Sequence, residues 1–156
     1  MAAAETRLSE LGIELPEVAA PVAAYVPAVV TGSLVYTSGQ LPFVSGALPA
    51  TGKVGDGHGL IPADDAKGYA RLCALNALAA VKAELGSLDR VTRVVKLVGF
   101  VASDPAFTGQ PGVVNGASEF IGEVFGDAGR HARSAVGVAA LPLDAPVEVE
   151  LIVEFA

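Results

Sequence analysis

Arg133 and Glu148 are the side chains of this sequence best suited to chemistry, because each stands in a run otherwise made for a strand core. Arg133 opens the apolar stretch 134–140, and Glu148 enters early in the run 147–155. A guanidinium or carboxylate placed among Val, Ala and Leu costs stability unless it finds a partner. A small molecule bearing a carboxylate suits the arginine, whose planar fork takes two oxygens together. The plainer alternative is a rim ion pair between Arg133 and Asp144 or Glu150, an arrangement worth little at a surface. Glu148, Glu150 and Glu154 also recur at period two, the pattern of one solvated strand face.

The elements that must position these groups read as follows. Leu8 and Leu11, with Gly12 at the stop position, give a short helix over residues 3–12, followed by a linker over 14–21. Residues 25–30 and 34–38 form a hairpin about Thr31-Gly32-Ser33. Residues 41–61 are rich in Gly and Pro and read as a long functional or covering loop. A helix capped by Asp64 or Asp65 runs to Leu85 and stops at Gly86. A β-branched strand spans 91–102, and a second helix starts near Pro111 and closes at Gly126. The last two strands are expected to pair antiparallel. The order β-β-α-β-α-β-β, with both helices on one face of a mixed sheet, is an α+β layer domain.

A tight connection over 141–145 sets Arg133 opposite about Val153 and Glu148 opposite Val138. The two are then about five residues, or roughly 16 Å, apart along the ladder. One hairpin cannot bring both to the same small ligand, so a second copy of the chain must supply one of them.

Composition points the same way. The chain has 156 residues, enough for one domain with a sizeable core. It is 52% hydrophobic and only 17% charged, an excess most simply absorbed by an oligomer interface. Residues 18–52 carry no charge, but Pro21, Pro27, Pro42 and Pro49 break any apolar helix long enough for a membrane. A net charge of −7 disfavours a nucleic-acid partner. One cysteine, Cys73, and two histidines exclude an internal disulfide and a Cys/His metal cage. The opening Met1-Ala2-Ala3-Ala4-Glu5-Thr6-Arg7 lacks the basic region and apolar core of a signal peptide, so a cytoplasmic location is expected.

Taken in order, several residues carry a family resemblance. They are Tyr25 before the hairpin, Thr37-Ser38-Gly39-Gln40-Leu41-Pro42, and Asn115 in the second helix. Ala132-Arg133-Ser134, Leu141-Pro142 and Val147-Glu148-Val149-Glu150 complete the set. The combination resembles the Rid/YjgF family of reactive-intermediate deaminases, here with an extra N-terminal helix. The resemblance implies a chorismate-mutase-like subunit, a homotrimer with clefts between subunits, and no metal or cofactor. It implies hydrolysis of enamines and imines such as 2-aminoacrylate to 2-oxo acids and ammonia. By the same resemblance Arg133 clamps the substrate carboxylate and Glu148 orients or activates water. Tyr25, Ser38, Gly39 and Asn115 line the cleft. The sequence departs from many deaminase members at Ala135, where they carry a pocket cysteine, and at Val26 and Pro27, near which they carry a glutamine. The alternative from another class is a non-catalytic trimer that senses small carboxylate metabolites. A ribonuclease role fits poorly with the acidic balance.

Overall fold

The computed structural model describes residues 3–18, 20 and 24–156. Ala19 and Pro21 of the expected linker lie outside the described residues. A short helix α1 (Ala4–Glu10) precedes the hairpin β1 (Ala28–Thr31) and β2 (Leu34–Thr37). The long helix α2 (Ala63–Leu85) leads to β3 (Val91–Ala102), and α3 (Gln110–Phe125) leads to β4 (Ala132–Val138). The chain closes with β5 (Val147–Phe155). The five strands form one mixed sheet in the order β1-β2-β5-β3-β4, with α2 and α3 packed together on one face. This is the α+β layer that the hydrophobic periods imply.

Helix starts follow local chemistry. Pro62, not an aspartate, occupies the position before α2, and no side chain caps that helix. Asp64 and Asp65 instead fall in its first turn, where carboxylates complement the positive end of the helix dipole. Gly86 ends the helix at φ +81°, a conformation that glycine adopts without strain. The core lies between the helix pair and the sheet. Leu78 and Val81 of α2 and Phe120, Ile121 and Val124 of α3 meet Leu97, Val101, Val149, Leu151 and Val153, all fully or almost fully buried.

The pairing of the last two strands departs from expectation. β4 does not pair with β5; it runs parallel to β3, with Arg133 opposite Leu97 and Val138 opposite Ala102. β5 instead lies between β2 and β3, antiparallel to both. The reason is the intervening helix: a strand–helix–strand crossover returns the chain in the same direction, so β3, α3 and β4 form a parallel unit. The 142–144 turn that follows has Leu143 and Asp144 at positive φ and carries the chain across the sheet rather than into a hairpin.

Two glycines set how closely the layers approach. A Cβ at Gly116 would run into the Lys67 carbonyl of α2, so α2 and α3 touch backbone to backbone there. A Cβ at Gly99 would overlap Val114, which brings α3 down onto β3. Gly116→Ala is therefore expected to destabilise the protein by about 1–3 kcal/mol in urea unfolding. Gly68→Ala, at an α2 position with open space around it, should stabilise by roughly 0.5–1 kcal/mol.

Candidate active site

Arg133 lies on the helix-covered side of β4 and reaches onto α3. Its Nη1 donates to Asn115 Oδ1 at 2.7 Å and to Ser118 Oγ at 3.2 Å, and its Nη2 donates to the Pro111 carbonyl at 3.4 Å. All three acceptors are neutral. Among the described residues no carboxylate pairs with Arg133. Asp144 is paired with Lys53 at 2.9 Å, so the rim ion pair with Asp144 does not form. Asn115, which reads equally well as a backbone-bonding residue near a helix start, acts instead as the chief acceptor for this guanidinium.

Glu148 occupies the other face. Across the sheet it pairs with Phe100, which in turn pairs with Val136. Phe100 lies three residues from Leu97, the partner of Arg133, and so points to the opposite side of β3. The two sequence candidates thus sit on opposite faces of one subunit. They do not meet. The hairpin register of Arg133 with Val153 and Glu148 with Val138 is replaced by this arrangement, because β3 separates β4 from β5.

The surroundings of Glu148 come from an irregularity in β2. Tyr36 pairs with Ile152 and Gln40 with Val149, so three residues of one strand, Thr37 to Gly39, oppose two of the other. This is a β-bulge, which re-aims backbone and side chains. The Leu151 amide there donates to Thr37 Oγ1 at 3.0 Å in place of a ladder carbonyl. The Glu148 carboxylate lies so close over Gly39 that a Cβ at that position would overlap it. Ser38 Oγ donates to the Val26 carbonyl at 2.6 Å and ties down the bend carrying Tyr25, whose ring is about half exposed. Ser38, Gly39 and Glu148 are therefore neighbours, whereas Arg133 and Asn115 form a second, separate cluster.

Burial raises the Glu148 carboxyl above its usual range, and the like charge of Glu150, two residues on, raises it further. Cys73 lies beneath, fully buried on α2, with its Sγ 3.6 Å from the Val147 carbonyl. Burial and then Glu148 push that thiol well above its ordinary value, which makes it a packing residue without nucleophilic character. Among the described residues no group of three His, Cys, Asp or Glu side chains could hold a metal ion, and no helix is long and apolar enough to cross a membrane.

Ser118 and His131 are the residues near Arg133 that sequence reasoning passed over. Their signals were present. Ser118 stands three residues after Asn115, hence on the same helix face, and His131 two residues before Arg133, hence on the same side of the strand.

Comparison with known proteins agrees with this fold. Residues 5–155 match the family described as "YjgF/chorismate_mutase-like, putative endoribonuclease". The chain belongs to the YjgF/RidA family. Protein TCP17 of Trypanosoma cruzi is 49% identical over 150 residues, covering 94% of this chain and 91% of that protein. The crystal structure of Atu1372, a protein of unknown function from Agrobacterium tumefaciens, is 50% identical with a TM-score of 0.89, covering 98% of this chain and 92% of that one. TdcF of E. coli, solved with bound serine, is 29% identical with a TM-score of 0.66, covering 90% of this chain and 94% of that one.

The burial of Glu148 fixes a titration order. Carboxyl-carbon NMR should place its midpoint above that of a free glutamate. Glu150→Gln should lower the midpoint without returning it to the ordinary range, since burial is the larger cause. A midpoint at or below the free value would mean that this carboxylate is solvated or paired rather than buried.

Proposed function

We propose that the protein hydrolyses reactive enamines and imines of the 2-aminoacrylate type to 2-oxo acids and ammonia, in clefts formed between the subunits of a homotrimer. One observation carries this reading: Arg133 is an unneutralised guanidinium held by neutral oxygens, and such a group binds a small carboxylate. That TdcF binds serine, an amino acid with a carboxylate of this size, supports it. Because Arg133 and Glu148 lie on opposite faces, the cleft takes Arg133 and Asn115 from one protomer and Glu148, Gly39, Ser38 and Tyr25 from its neighbour. The sheet face without helices supports such an assembly, with Val29, Tyr36 and Val136 left 52%, 43% and 43% exposed.

The chemistry needs little more than placement. Arg133 anchors the substrate carboxylate and so fixes the imine carbon. Glu148, ionised, takes a proton from water as the oxygen attacks that carbon. Glu148 returns that proton to the imine nitrogen, giving a carbinolamine. It then takes the carbinolamine hydroxyl proton and delivers it to the same nitrogen, so that the C–N bond breaks, ammonia leaves and the carbonyl forms. A raised carboxyl suits a group that first accepts and then returns a proton, since its protonated form is favoured more than that of a free glutamate. Gly39 leaves the room in which that carboxylate lies. No cofactor enters this scheme, and substrate and product both lie in the class of small carboxylates.

A dehydratase releasing 2-aminoacrylate, coupled to the purified protein, tests the reading through the rate of 2-oxo-acid formation. The wild type should accelerate release. Glu148→Gln should lose about 10²–10⁴-fold of the acceleration, and Arg133→Ala should lose most of it through a raised KM. The acid limb of the wild-type profile should lie above the ordinary carboxylate range, because the raised carboxyl stays protonated, and so unable to act as base, to a higher pH. No acceleration by a wild type that still binds 2-oxo acids would instead make the protein a metabolite sensor. Sedimentation at micromolar concentration should give a trimer; a monomer would remove the shared cleft.

A further inference from the structure

Ser118 and His131 take no part in the proposed hydrolysis, yet they stand directly behind Arg133. His131 Nδ1 lies 2.6 Å from the Gly129 carbonyl oxygen, which can only accept, so Nδ1 carries the hydrogen. In the neutral imidazole Nε2 is then the acceptor, and the Ser118 hydroxyl, 2.9 Å away, donates to it. With its hydrogen committed to His131, Ser118 Oγ presents a lone pair to Arg133 Nη1 at 3.2 Å. A serine in mid-helix without such a partner turns its hydroxyl back onto the carbonyl one turn earlier. His131 therefore decides which way Ser118 faces.

The consequence falls on the arginine. A guanidinium has five N–H donors in a fixed plane, and Nη1 holds two of them. Asn115 Oδ1 takes one and Ser118 Oγ takes the other, so Nη1 is fully engaged. The end-on edge, which needs a free hydrogen on both Nη1 and Nη2, is thereby closed. On the side edge, Nε makes no hydrogen bond among the described residues, and Nη2 gives only a long bond of 3.4 Å to the neutral Pro111 carbonyl, which a carboxylate displaces. We propose that Ser118 and His131 are positioning residues that lock Arg133 so that it offers a ligand only this side edge, and so select planar carboxylates over groups with a single acceptor. The inference rests on Arg133 being the carboxylate clamp of the proposed function.

Calorimetric titration of 2-oxobutanoate and of its amide tests the two ideas separately. In the wild type the acid should bind well and the amide poorly, and Arg133→Ala should abolish the preference. Ser118→Ala and His131→Ala should each weaken the acid about tenfold and leave the amide unchanged. Ser118→Thr and His131→Gln keep the hydroxyl and an acceptor for it, and should restore most of the preference. A merely structural role would weaken both ligands alike and would not sort the variants by hydrogen-bonding capacity. If Arg133→Ala removes the preference while Ser118→Ala and His131→Ala keep it in full, the positioning role is overturned and the clamp stands. A wild type that does not discriminate acid from amide overturns both. Should Ser118→Ala fail to fold, His131→Ala, on the strand side of the pair, decides the matter alone.

Discussion

An arginine held in place by oxygens that carry no charge is the interaction on which the rest depends. Asn115 Oδ1, Ser118 Oγ and the Pro111 carbonyl fix the Arg133 fork but leave its positive charge unanswered. An aspartate in place of Asn115 would hold the fork as firmly and cancel its charge. The chain has acids to spare, since its net charge is −7. Those on α3 are directed elsewhere: Glu119 pairs with Lys67 and Glu123 with Arg71, both on α2, each at 3.1 Å. The two acids of α3 are thus held against α2 and kept off the strand side, which leaves the Arg133 charge unanswered there.

Glu148 is the converse case, a carboxylate that no base in its own subunit neutralises among the described residues. It lies on β5, which has a strand on either side, and its cross-strand neighbour is Phe100. The β2 bulge brings the Gly39 backbone under it, and Glu150 adds a like charge on the same face. Apolar walls and a negative neighbour both favour the protonated form, which is why the group is raised rather than lowered. Arg133 keeps a charge through neutral partners; Glu148 is made ready to lose one through unfavourable surroundings. The two sets of surroundings are complementary.

How far this is legible in the sequence depends on whether the signal is local. The apolar runs give β3 its ends, and glycines at 86 and 126 close the long helices as expected, because period and stop signals are written within a few residues. The pairing of β4 differs from expectation. A hairpin is the default for neighbouring strands, whereas the preference of β4 for β3 comes from the α3 crossover between them. The cap of α2 differs on a smaller scale, since Pro62 with its fixed φ takes the place expected for Asp64 or Asp65. Even so, the expected register and the folded sheet both keep Arg133 away from Glu148 within one subunit, by different routes. The first does so by distance along one ladder, the second by opposite faces across β3. Spacing puts Ser118 on one helix face with Asn115 and His131 on one strand side with Arg133, but which of these groups meet is set only by the tertiary fold that joins α3 to the β4 side of the sheet.

The uncovered sheet face constrains what can cover it. Val29, Tyr36 and Ile152 form one row across β1, β2 and β5, and Glu148, Phe100 and Val136 form another across β5, β3 and β4. The apolar members favour burial against a second copy of the chain. The carboxylates of Glu148 and Glu150 oppose it, because enclosing two unpaired charges in a dry interface costs several kcal/mol each. A covering that satisfies both must close over the valines and aromatic rings while leaving the acids a solvated opening or a cation. An interface of that kind contains a cleft by construction. The cheapest place for the cleft is beside Glu148, where the Gly39 backbone carries no side chain to fill it.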